Sequence, residues 1–232
     1  WDVAFVAENL RKKRYDIDDE VIRPYFPMER VISGLFALVE RIFGLTVEER
    51  ENPAKWHADV QYYDLMDLDG THLGSFYADW YPRPDKRQGA WMSHLATGGP
   101  SENGEFMPHI GVIAGNLTPP KGDLPSLLTH REVETIFHEF GHLLHHLTSR
   151  VPIAPMAGIN VAWDFVELPS QIMENWTWEK EALSMFSGHH ETGEPLPDEI
   201  YERLTRARRF MGGWAMMRQL SFGFTDLKLH RD

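Results

Sequence analysis

His138 and His142 stand four residues apart with Glu139 between them, inside the stretch "ETIFHEFGHLLHHL" that runs from Glu134 to Leu147. In a helix, residues four apart share a face, so both imidazoles can reach one small cation. This is the H-E-x-x-H arrangement, in which two histidines ligate zinc and the glutamate is the general base of a metallopeptidase. The plainer alternative is an amphipathic helix with its histidines in water. Val133, Ile136, Phe137, Phe140, Leu143, Leu144 and Leu147 supply the dry face that this alternative needs.

A hydrolytic zinc site takes three protein ligands and leaves one position for water. The chain has no cysteine, so the third ligand must be His, Asp or Glu. Downstream, Asp164, Glu167, Gln171 and Glu174 recur at steps of three and four among Phe165, Val166, Leu168, Ile172, Met173 and Trp176. Read as a helix antiparallel to the first, that stripe sets Glu167 against the imidazoles as third ligand. Asp164 or Glu174 can then hold the other ring nitrogen of a histidine. Zinc held in this way lowers the pKa of its water towards ~7, and Glu139 takes the proton. His145 reads as a polar-face residue or as support for the ligands. His189 and His190 are expected in a solvent-exposed loop, and His57, His72, His94 and His109 show no ligand spacing.

Three regions must position these residues. Residues 1–58 read as helical: Val31, Ile32, Leu35, Leu38, Val39 and Ile42 recur at helical steps, and Gly44 is placed to cap the C-terminus. Residues 59–118 read as a small antiparallel sheet. Within it, "VQYYDLMDLDGTHLGSFYADWY" carries Asp69-Gly70 between two strand-like runs, a hairpin pattern, and a further strand is expected over Ile110 to Leu117. Residues 129–232 read as helical again. Thr129 and Glu132 form a capping box, Pro169 begins or kinks the second helix, and a last helix runs from about Pro197 towards Leu229. The expected class is α+β, mostly α-helical, with the sheet beside the H-E-x-x-H helix.

The 232 residues are 42% hydrophobic and 25% charged, which suits a soluble chain with a real core. No run approaches the ~20 apolar residues of a membrane span. A formal charge of −12 speaks against a nucleic-acid partner. There is no basic-then-apolar start of the export type. The chain begins at Trp1 and is read as a piece of a longer protein.

"FHEFGHLLHHL" followed by "WDFVELPSQIMENW" closely resembles the thimet oligopeptidase and oligopeptidase A family of zinc metallopeptidases. The resemblance extends over nearly all the chain and includes "RPYFPMERVISGLF", "GSFYADWYPR", "KRQGAWM" and "SGHHETGEPLP"; it is nearest to the bacterial oligopeptidase A branch. It implies one zinc ion on His138, His142 and Glu167, with Glu139 as catalytic base, in a zincin-like catalytic region. It implies short peptides as substrates, a cytoplasmic location, a monomer, and a strand beside the zinc that pairs with the peptide. Ile110 to Asn116 is the candidate for that strand. The family's full chain is longer, a two-lobed helical body with a deep channel. This sequence lacks the family's helical N-terminal half and its Gly- and Tyr-rich substrate-binding segment.

Two classes of function follow. One is a zinc endopeptidase acting on oligopeptides. The other is a metal- and peptide-binding fragment without turnover, because an oxyanion donor supplied by the missing segment is worth about 10²–10³ in rate. A non-peptidase zinc hydrolase is the weaker third reading, since two helices do not fix the substrate.

Overall fold

Prolines and glycines punctuate the chain where their backbone preferences demand it. A computed structural model describes residues 2–51 and 54–231. The chain divides into two units: Trp1–Asp18 with Pro197–Asp232, and Asp19–Leu196.

Helix α1 (Asp2–Tyr15) belongs to the first unit. The second opens with α2 (Asp19–Ile22), one 3₁₀ turn at Arg23–Tyr25, and α3 (Met28–Phe43). Pro27 is extended just before α3, and Gly44 ends it in the left-handed region at φ 71, as the sequence predicts. Val31, Leu35, Leu38 and Val39 are all buried, so the apolar stripe of α3 is its inner face.

The strands are β1 (Thr46–Glu49), β2 (Gln61–Met66), β3 (His72–Asp79), β4 (Trp91–Ala96), β5 (Gly99–Pro100), β6 (Phe106–Met107) and β7 (His109–Ala114). Five form one sheet in the order β1-β2-β3-β7-β4, and β5 pairs with β6 alone. The β2–β3 hairpin turns where Asp69-Gly70 predicts, with Gly70 at φ 82. β1 lies inside the region expected to be wholly helical; its four residues are too few for a periodic pattern to reveal. The β3–β7 pair is parallel and the other pairs are antiparallel, so the sheet is mixed. A parallel pair needs a crossover, and here the crossover includes β4, β5 and β6.

Helix α4 (His130–Leu147) follows, then α5 (Leu168–Asn175) and α6 (Lys180–Phe186). Both halves of the Thr129–Glu132 capping box are made. α4 packs on β7 and β4 on one side and on α5 on the other. Phe140 meets Phe76 edge to face at 5.9 Å, and Phe137, Phe140 and Leu143 are almost fully buried. Each such side chain contributes roughly 1.5–3 kcal/mol by leaving water, so α4 is firmly seated. The class is α+β and mostly helical, as expected.

In the first unit, α7 (Asp198–Ala207) and α8 (Gly212–Arg231) replace the single last helix expected from Pro197 to Leu229. The break falls at Met211, which is left-handed at φ 56 and precedes Gly212-Gly213. Arg203 bonds Glu199 at 2.6 Å and Asp16 at 2.6 Å, which ties α7 to the end of α1.

Candidate metal centre and active site

α4 buries Val133, Ile136, Phe137, Phe140 and Leu143 and turns His138 and His142 outwards. The two rings stand 4.9 Å apart and nearly perpendicular, at 85°. α5 comes up against this helix at Gly141. A β-carbon there would lie 2.6 Å from Cα of Ser170 and 2.7 Å from the carbonyl oxygen of Pro169. The missing side chain is what lets the start of α5 approach so closely.

That approach delivers Glu167. Its Oε2 lies 3.2 Å from Nε2 of His138 and 3.2 Å from Nε2 of His142. One ligand atom from each of the three residues falls within 4.8 Å of the others, so the group can hold a metal ion. Zinc bonds of about 2.0–2.2 Å set tetrahedral donors roughly 3.3–3.6 Å apart, close to the separations found. The donor chemistry fits as well. Oε1 of Glu174 lies 2.6 Å from Nδ1 of His138. A carboxylate only accepts, so Nδ1 carries the proton, and Nε2 is left as the nitrogen that faces Glu167 and can ligate a cation. Burial holds the His142 imidazole below the usual histidine range against the pull of Glu167, favouring the neutral form that ligates metal.

Glu139 is buried, 9% exposed. Burial pushes its carboxyl above the ordinary range, while the neighbouring His138 and the Met92 backbone act the other way. Beside it a polar cavity of about 320 Å³ is lined by Arg131, Glu134, His138, Glu139 and Glu174.

The whole chain, residues 1–232, matches peptidase family M3. The chain belongs to peptidase family M3. Oligopeptidase A of Haemophilus influenzae is 47% identical over 231 residues, covering 99% of this chain and 34% of that protein. Oligopeptidase A of Escherichia coli is 44% identical over 233 residues, covering 100% of this chain and 34% of that protein. Dipeptidyl carboxypeptidase of Escherichia coli is 35% identical over 231 residues, again 99% of this chain and 34% of that protein. The chain therefore spans about a third of the length of these relatives of family M3.

Within this M3 chain, the second polar stripe is only partly helical. Pro169 occupies the first turn of α5, so Asp164 and Glu167 precede the helix and only Gln171 and Glu174 lie on it. Proline suits that position because its missing N–H has no intrahelical partner there. Of the two acids proposed to support a histidine, Glu174 reaches His138, and Asp164 stays exposed outside the group. One contact was not foreseen: the Ser170 hydroxyl donates to Oε2 of Glu167 at 3.0 Å. Ser170 stands three residues after Glu167, a spacing visible in the sequence.

The remaining histidines lie apart from the centre. His145 lines an apolar cavity with Leu144, Leu168, Ile172 and Met173, against Phe165. His189 and His190 are half-buried rather than exposed: their segment folds back on the chain, with N–H groups of Gly188 and His190 bonding the carbonyls of Tyr25 and Pro24. His109 and His146 are buried in contact, ring centres 4.8 Å apart. The strand expected to receive a peptide, Ile110 to Asn116, is mostly β7, and β7 is paired on both sides. The strand with a free edge next to α4 is β4.

Proposed function

We propose that the protein containing this chain is a zinc-dependent endopeptidase of short oligopeptides. The carrying observation is the convergence of His138, His142 and Glu167 with a buried carboxylate, Glu139, on the same helix. Family membership supports the peptidase class.

His138, His142 and Glu167 would hold the ion. Glu174 fixes the tautomer of His138 by accepting from Nδ1, and Ser170 orients Glu167. Zinc in that position supplies Lewis acidity, which acidifies water and polarises a peptide carbonyl. Glu139 accepts a proton from the attacking water, whose oxygen adds to the carbonyl carbon. As the C–N bond breaks, Glu139 passes the proton to the amine nitrogen. Burial makes Glu139 a stronger base than an exposed glutamate. The outer edge of β4, which no further strand covers among the described residues, suits an extended peptide added as a further strand.

Elemental analysis and a quenched fluorescent peptide test this reading together. The full-length protein should bind one zinc per chain and lose turnover with a chelator. Glu139→Gln should keep the zinc and lose hydrolysis; full turnover in that variant would refute the assignment.

A further inference from the structure

α5 has only eight residues, and of these only Ser170 and Met173 are buried. A helix this short has little stability of its own, so its place against α4 must come from what fastens its two ends. Ser170, Glu174 and Trp178, the last in the turn that follows the helix, recur at steps of four. α4 answers with Gly141, His138 and Glu134, at steps of three and four along one face. The two series run in opposite directions, so their contacts form three rungs.

The first rung is the close approach of Ser170 to Gly141. The middle rung joins Glu174 to Nδ1 of His138 at 2.6 Å. The last is a bond from Nε1 of Trp178 to Oε1 of Glu134, at 2.7 Å. A second bond backs it: Nε2 of His130 donates to the carbonyl of Thr177 at 2.9 Å. The His130 ring meets that of Trp178 edge to face, with centres 4.3 Å apart. His130 and Thr177 are both almost fully buried. The Thr177 hydroxyl in turn donates to the carbonyl of Glu174 at 2.8 Å. The chain just past α5 is thus fixed to the first two turns of α4, three residues beyond the carboxylate that faces His138.

Only the middle rung touches a metal ligand. Its direction follows from the outer two, because α5 can pivot if either end is released. A displaced Glu174 no longer holds the His138 ring, and the direction of that ring decides whether Nε2 meets the ion. Glu134 lines the polar cavity of the site beside His138, Glu139 and Glu174, yet it is not among the three residues of the metal group. Its contribution to the ion runs through the helix it fastens.

We propose that Glu134 and Trp178 are positioning residues for His138, acting through Glu174. The inference rests on the metal site proposed above for its consequence, though not for its geometry.

The test titrates the full-length protein with zinc against a chelator. Trp178→Phe keeps an aromatic ring beside His130 and removes the N–H that Glu134 accepts. Zinc affinity should fall about 3–10-fold, less than the roughly 10–100-fold typical when the partner of a ligating histidine is deleted, because Glu174 is displaced and not lost. Glu134→Ala should fall to the same extent. Glu134→Gln keeps an accepting oxygen and should stay within about twofold of wild type. The decisive arm repeats Trp178→Phe in a Glu174→Ala background. Residues that act through one another are not additive, so there the substitution should change zinc affinity by less than about twofold.

Undiminished affinity in either Trp178→Phe or Glu134→Ala overturns the proposal. So does an equal further loss in the Glu174→Ala background, which would make the clamp a general support of the fold. A Glu134→Gln variant as weak as Glu134→Ala overturns it too, since charge in the cavity and not the bond would then govern. Should Trp178→Phe fail to fold, the Glu134 variants carry the same comparison, alone and combined with Glu174→Ala. A wild-type protein that binds no zinc would sink the metal reading instead. Exchange of the His138 Nδ1 proton, followed by NMR in metal-free protein, then decides the geometric claim: it should be faster in Glu134→Ala than in wild type, and equal rates overturn the claim.

Discussion

Oε1 of Glu174 lies 2.6 Å from Nδ1 of His138, on the side of the ring away from Glu167. One face of α5 thus completes what the turn before it begins. Removing such a partner from a metal-bound histidine typically costs about 10–100-fold in metal affinity. Glu174→Ala should weaken zinc by that factor in a chelator competition. Glu174→Gln retains an accepting oxygen and should lose less.

Gly141 sets how near α5 can come to α4. Gly141→Ala would press a methyl group against Cα of Ser170 and the carbonyl of Pro169, which are backbone atoms that cannot rotate aside. Overpacking of this kind costs about 1–3 kcal/mol. The variant should unfold at lower temperature, and zinc per chain should fall with it, because the segment that shifts carries Glu167.

Acid should destabilise the second unit before its carboxylates titrate. His146 is 1% exposed, and burial, with His109 beside it, lowers its pKa to about 4. Its Nδ1 has no hydrogen-bond partner among the described residues. The folded pKa lies below the unfolded value of ~6.5, so the unfolded chain takes the proton first as pH falls. The stability that the neutral ring supplies is complete above ~6.5 and drains away towards pH 4, by roughly 3 kcal/mol in all. Burial depresses His109 in the same direction. Denaturant melts of metal-free protein between pH 7 and 4 should show the loss, and His146→Gln should flatten it.

Metal should fasten α4 to the turn before α5. Ligand that binds only the folded state adds about 2.7 kcal/mol at 100 times its Kd. Zinc should therefore raise the unfolding midpoint of wild type and of Glu139→Gln, and a chelator should reverse the gain. In His142→Ala the midpoint should scarcely respond to zinc.

What the sequence revealed was what repeats or caps. The stripe of α4, the Thr129–Glu132 box, Gly44 and the Asp69-Gly70 hairpin each follow from local preferences, and each is present. The candidate metal group could be chosen because a four-residue step on a helix fixes direction, and because the resemblance named the same residues. Glu167 was reached by treating a turn and a helix as one helix; a polar stripe of mixed steps does not distinguish them until Pro169 is placed. His146 was hidden for a different reason. A histidine on a helix reads as polar, whereas this one lies against Gly158, where a β-carbon would stand 2.3 Å from its Nδ1. The parallel β3–β7 pair joins segments distant in sequence, where neither composition nor periodicity reports contact.

The position of β7 between β3 and β4 also bears on synthesis. As the chain emerges from a ribosome, His72–Asp79 appears well before His109–Ala114, the strand that will cover its outer side. In the interval β3 offers bare backbone donors and acceptors to any neighbouring nascent chain. Slow translation through the intervening stretch would prolong that exposure, and a chaperone engaging this strand would act at the most vulnerable moment.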